Sequence, residues 1–146
     1  MSDGSEVIAD HEILYRRIPA ASGFFDPQVD PNPSPLAFRP TRHDTTGLSL
    51  SRAKYKSLEE AGCGREGKQY YVAVLRAGEL RRLGMDIVPR PLEDDPGHCE
   101  IADLNFGNRK AMPFAEWQSL LAEQLCLRVE GPFPELPTID ASRQWS

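Results

Sequence analysis

Tyr70-Tyr71-Val72-Ala73-Val74-Leu75 is an unbroken run of aromatic, β-branched and aliphatic residues, entered from glycines and followed by Ala77-Gly78-Glu79-Leu80-Arg81-Arg82-Leu83. The first run has strand composition. The second reads as a short helix stopped by Gly84, with Arg81 and Arg82 in its last turn, where they complement the helix dipole. Met85-Asp86-Ile87-Val88 then reads as another strand, ended by Pro89 and Pro91. Short strands interleaved with few short helices favour an α+β domain over a doubly wound sheet.

Upstream, Ile13-Leu14-Tyr15-Arg16-Arg17-Ile18 reads as a first strand closed by Pro19. Residues 22–42 carry Pro27, Pro31, Pro33, Pro35 and Pro40, a density that forbids a regular helix and predicts a long loop. Phe24, Phe25 and Phe38 pin that loop to the body. Gly47-Leu48-Ser49-Leu50-Ser51 reads as a short strand. Ser57, with Glu60 three residues on, forms a capping-box start for a helix through Ala61.

Downstream, Phe114, Trp117, Leu120, Leu121 and Leu125 fall on one helical stripe, with Pro113 suited to the first turn. This predicts a helix that buries Trp117, Leu121 and Leu125. The resulting organisation is a flexible N-terminus over 1–12, a single α+β domain over 13–130 with a small mixed sheet, and a Pro-rich irregular tail over 131–146.

Composition narrows the function classes. A chain of 146 residues fits one domain, and 40% apolar content supports a core. Its net charge of −5 argues against nucleic-acid binding, which needs clustered cations to neutralise phosphates. No run approaches the ~18 apolar residues of a spanning helix, and the polar start Met1-Ser2-Asp3-Gly4-Ser5-Glu6 lacks a signal-peptide pattern. Cys63, Cys99 and Cys126 are odd in number and widely spaced, which points to reduced thiols and a cytoplasmic location. Charge is uneven along the chain. From Arg39 to Lys56, Arg39, Arg42, Arg52, Lys54 and Lys56 stand against Asp44 alone, whereas from Glu93 to Glu100 the acids Glu93, Asp94, Asp95 and Glu100 occur with no Lys or Arg. These stretches form a dipolar cleft if they meet, and two solvated faces if they do not.

Several constellations carry chemistry on paper. Gly62-Cys63-Gly64-Arg65-Glu66-Gly67 has GxGxxG spacing but precedes a strand, so it reads as a turn. His98, Cys99 and Glu100 are three ligand or acid/base types in a row; on a strand, His98 and Glu100 share one face and Cys99 takes the other. Two ligands alone do not make a metal site. Ser49 with Asp44 and either His43 or His98 assembles into a triad, although no GxSxG elbow surrounds it.

The order Tyr15-Arg16-Arg17, Gly47-Leu48-Ser49-Leu50-Ser51, Ser57-Leu58-Glu59-Glu60-Ala61, strand 70–76 and then Glu100 resembles the ADP-ribosyltransferase-like fold, closest to its small bacterial RES-domain branch. The resemblance covers about residues 13–100. It implies NAD⁺ bound in a cleft, with Tyr15, Arg16 or Arg17 at the phosphate and ribose. It further implies Ser49 or Ser51 beside the nicotinamide, and Glu100 against the positive ribose. Two arginines compete for one role, and no clean family glutamate stands in this stretch. The leading reading from sequence is a small intracellular bacterial-type accessory protein that binds a protein partner and needs no cofactor. The alternative is an NAD-consuming enzyme, of the kind that includes toxins.

Overall fold

The computed structural model describes residues 4–134. Among the described residues, six strands form one sheet: β1 (Ile13–Pro19), β2 (Leu48–Arg52), β3 (Tyr70–Arg76), β4 (Ile87–Pro89), β5 (His98–Ile101) and β6 (Arg128–Phe133). Their order is β4-β5-β2-β1-β3-β6, and every ladder is antiparallel. Among the same residues it is accompanied by α1 (Leu58–Ala61), α2 (Ala77–Arg82) and α3 (Met112–Leu120), the last running on into a wider π turn over Leu121–Leu125. The fold is α+β. Among the described residues, no helix is long and apolar enough to cross a membrane.

Period-two alternation sorts the side chains between two faces. Leu14 and Ile18 of β1, Leu48 and Leu50 of β2, Ala73 and Leu75 of β3, and Cys99 and Ile101 of β5 form the core face, each at most 2% exposed. Against them pack Ile8, Phe38, Leu80, Leu104, Leu121 and Ala122. The opposite face carries Tyr15, Arg17, Ser49, Ser51, His98 and Glu100, and this is where polar chemistry gathers.

Local chemistry explains the punctuation. Ser57 accepts from the Glu60 N–H at 3.2 Å while the Glu60 carboxylate accepts from the Ser57 N–H at 3.1 Å, completing the capping box. Ser34 caps a 3-10 turn over Pro35–Phe38, which drops Phe38 fully into the core. Phe25 meets Tyr71 edge-on at 4.8 Å. The proline-rich segment is therefore held down by its aromatic residues.

Three expectations are corrected. Residues 4–12 are docked, because the buried Arg52 guanidinium binds both Glu12 carboxylate oxygens at 2.9 Å and the carbonyls of Gly4 and Glu6 at 3.1 Å. Regular structure continues past Gly131 to Phe133 in β6, an edge strand, where a proline costs no ladder bond on the open side; residues 135–146 of the expected tail lie outside the described residues. Trp117 is half-buried, stacked edge-on against Phe114 at 5.2 Å, while Leu121 is fully buried and Leu125 partly so. The helix presents its π turn to the core more deeply than its first two turns.

Candidate functional site

The sheet is not continuous at its centre. β1 pairs with β3 over seven residues, but with β2 over only two, Leu14 with Arg52 and Tyr15 with Ser51. The Arg52 N–H donates toward β5, to the Gly97 carbonyl, and the Ala53 N–H donates toward β1, to the Ile13 carbonyl. Alternate β2 residues thus face alternate neighbours, and Ser49, like Ser51 and Ala53, faces β1. The next hydrogen-bonded pair in that ladder would be Arg17 with Ser49, and the strands part before it.

Arg16 occupies the parting. Alternation places it on the core face between Leu14 and Ile18, yet its Nη1 donates to the Ser49 carbonyl at 3.0 Å and its Nε to the Ala37 carbonyl at 3.0 Å. One guanidinium therefore bridges the split strand and the wall loop. Burial pulls its pKa below the ordinary arginine value, the Asp44 charge opposes this, and the neighbouring Arg17 adds to it. Arg17, on the other face, lies over the Tyr70 ring at 4.9 Å and donates to the Cys63 carbonyl.

A cavity of about 470 Å³ opens at this split. Its floor is Tyr15, Arg16, Arg17, Ser49, Ser51 and His98; its walls include Phe24, Ala37, Arg39 and Thr41 from the proline-rich segment and Tyr70 from β3. Lys56 and Asp95 pair across its rim at 3.1 Å, so the basic and acidic stretches do meet. Five of the six residues named from the resemblance line this one cavity.

Glu100 is the sixth and does not line the cavity. It is the register partner of Ser49, 7% exposed, and accepts from Thr46 at 2.7 Å and from Arg90 at 3.0 Å. Its other oxygen lies 3.9 Å from Nε2 of His98. His98 and Glu100 share a face, while Cys99 is buried on the other, where burial pushes its thiol up to about 12. No cluster of three His, Cys, Asp or Glu side chains among the described residues is placed to hold a metal.

The paper triad also converges, in an unusual order. Ser49 Oγ donates to Asp44 at 3.1 Å and lies 3.3 Å from His98 Nε2, so the serine sits between the acid and the imidazole. Asp44 is 7% exposed and accepts from the Thr41 N–H at 2.7 Å and the Thr41 hydroxyl at 3.1 Å. His43 is exposed and does not line the cavity. Asp44 reaches Ser49 from five residues upstream, whereas the place of His98 beside Ser49 depends on β5 pairing with β2. The chain matches no family model, no curated protein and no solved structure.

Proposed function

We propose that the cleft binds NAD⁺ and that the chain is an NAD⁺-consuming enzyme of ADP-ribosyltransferase type. The observation that supports this reading is the gathering of Tyr15, Arg16, Arg17, Ser49 and Ser51 at one opening in the sheet. The cavity lies within the roughly 300–1,000 Å³ of small-molecule sites. The donor set suits the ligand. Arg16 commits two of its five N–H donors to protein carbonyls among the described residues, leaving donors for a pyrophosphate, which a guanidinium fork matches bidentately. Arg17, Arg39 and Lys56 add positive charge around the same opening, and Tyr15 and Tyr70 offer flat faces.

When bound, NAD⁺ would supply a cationic nicotinamide ring, a good leaving group, on the ribose carbon whose bond is to be broken. The chain's part is to hold the phosphates and offset positive charge on the ribose. Glu100, next to Ser49 and His98, is the carboxylate the reading assigns to that charge, and Asp44 adds negative charge through Ser49. Three free thiols suit a reducing compartment, so the reading places the protein in the cytoplasm.

The test is direct. NAD⁺ at ~100 times its Kd should add about 2.7 kcal/mol of stability, read as a rise in Tm, and millimolar NAD⁺ should yield free nicotinamide. Neither a thermal shift nor nicotinamide release is compatible with an inert chain, and absence of both overturns the proposal. A partner-binding accessory role is the second reading, favoured by the outer face of α3, where Met112, Ala115 and Leu120 form a shallow apolar hollow and Met112 is 77% exposed. Failure of both NAD⁺ assays leaves that role in place.

A further inference from the structure

We propose that Asp44, Ser49 and His98 form a proton relay in the cleft, which takes the proton of an acceptor attacking through an O–H group. The proposal rests on the NAD⁺ reading for its substrate, but its geometry stands in the ligand-free chain.

The argument is a count of hydrogens. His98 Nδ1 lies 3.0 Å from the Arg90 carbonyl oxygen, which only accepts, so Nδ1 carries the ring hydrogen. Nε2 is then the nitrogen free to gain or lose a proton, and it faces Ser49 Oγ. On the other side of that oxygen stands Asp44 Oδ1, a further acceptor. Ser49 has one hydroxyl hydrogen for two acceptors. Whichever way it turns, either Asp44 Oδ1 or His98 Nε2 goes without that hydrogen, and among the described residues the constellation is one hydrogen short.

Uptake of one proton satisfies all three groups. Nε2–H then donates to Ser49 Oγ, whose own hydrogen donates to Asp44. Ser49 is also fixed from behind, since its carbonyl accepts from Arg16, and Asp44 is fixed by two donors from Thr41. The relay thus lies beside the guanidinium assigned to the pyrophosphate.

The step balances as follows. The acceptor oxygen bonds to the ribose carbon as the carbon–nitrogen bond to nicotinamide breaks, its electron pair leaving on the nicotinamide nitrogen. The acceptor O–H proton passes to Ser49 Oγ while the Ser49 hydrogen passes to Nε2 of His98. An acceptor with no proton to lose gains nothing from this arrangement, so the relay selects water or a hydroxyl group. Asp44 acts through Ser49 and is a positioning residue.

Two measurements decide it. In the ligand-free protein, nitrogen-15 spectra of the imidazole should show the His98 Nε2 resonance moving in Asp44→Asn, and that response should vanish when Ser49→Ala is present. An unmoved resonance, or the same response without the Ser49 hydroxyl, overturns the relay whatever the fate of the NAD⁺ reading. In turnover, Ser49→Ala and His98→Gln should each lower kcat for nicotinamide release about 100-fold with KM little changed, and the double variant should be no slower than either single. Multiplying losses, or a change in KM alone, also overturns it. A chain that shows the resonance coupling yet releases no nicotinamide supports the relay and removes its proposed substrate.

Discussion

Nη1 of Arg16 lies 3.0 Å from the carbonyl oxygen of Ser49, at the point where the β1–β2 ladder stops. A side chain from one strand thus satisfies a backbone acceptor that the neighbouring strand's own N–H would otherwise take. The opening this leaves is the cleft, and the residue that props it open also ties down the wall through the Ala37 carbonyl.

Arg16→Ala and Arg17→Ala should therefore behave differently. Loss of Arg16 leaves two carbonyls short of a charged donor, at a cost of about 1.5–3 kcal/mol for each such bond, and should abolish the NAD⁺-induced rise in Tm. Arg17 is exposed, so Arg17→Ala should change stability by no more than about 0.5 kcal/mol and weaken the ligand shift without removing it. Denaturant melts with and without NAD⁺ measure both effects; equal behaviour of the two variants would contradict the placement of Arg16 at the split.

Arg52 and Glu12 form a buried two-point pair, the guanidinium 0% and the carboxylate side chain 7% exposed. Removing one partner strands the other, so Arg52→Ala should cost about 3–5 kcal/mol, whereas Arg52→Met with Glu12→Leu should cost less than that single change. Urea denaturation of the three proteins gives the comparison.

The same pair predicts a pH dependence. Burial raises the Glu12 carboxyl, but hydrogen bonds from Arg52 and the Ala9 N–H, with the Arg52 and Lys54 charges, outweigh it and hold the folded value below the ordinary range. A carboxyl depressed on folding contributes stability that is fully present above its unfolded value, about 4.3, and is lost as pH falls through the folded value. Wild-type stability should thus decline below about pH 4.3 more steeply than that of the double variant.

Thiol reactivity should rank by exposure. Cys63 is exposed, Cys126 partly buried and Cys99 buried, and burial pushes the last up to about 12. A thiol reagent at neutral pH should label Cys63 rapidly and spare Cys99, with three thiols per chain titrating in denaturant without reductant. Fast labelling of Cys99 in the native protein would mean that the core face opens.

Trp117→Ala should destabilise by less than the ~3–5 kcal/mol of a fully buried ring, because the indole is half-buried and leans on Phe114. Its fluorescence should be quenched by soluble quenchers in the folded state.

Elements whose signals are local were legible before any fold was known. The apolar run at Tyr70–Arg76 is a strand, Ser57 and Glu60 close a capping box, and alternation, given a strand there, puts His98 and Glu100 on one face with Cys99 on the other. Short range is the common feature: the relevant contacts span a few residues, and their chemistry is written in that window. β5 and β6 were not legible as elements. His98–Ile101 has four residues beside Pro96-Gly97, and Arg128–Phe133 contains Gly131-Pro132, strand-breaking signals that only a tertiary partner overrides.

The cleft belongs to the second kind of information. The family resemblance pointed to Tyr15, Arg16, Arg17, Ser49, Ser51 and Glu100, and five of them meet at one opening, but alternation alone would bury Arg16 in the core and set Glu100 beside Ser49 in the cavity. The parting of β1 from β2 lets Arg16 reach the opening, while Glu100 is engaged by Arg90 and Thr46 and does not line the cavity. Ser49 and His98 are 49 residues apart, and Thr46 and Glu100 are 54 apart, so their meeting depends on β5 choosing β2 as its neighbour. Residue types and local periodicity are properties of the chain; strand order and the point where a ladder stops are set by the packing of the whole core against one face of the sheet, and no window of sequence contains that balance.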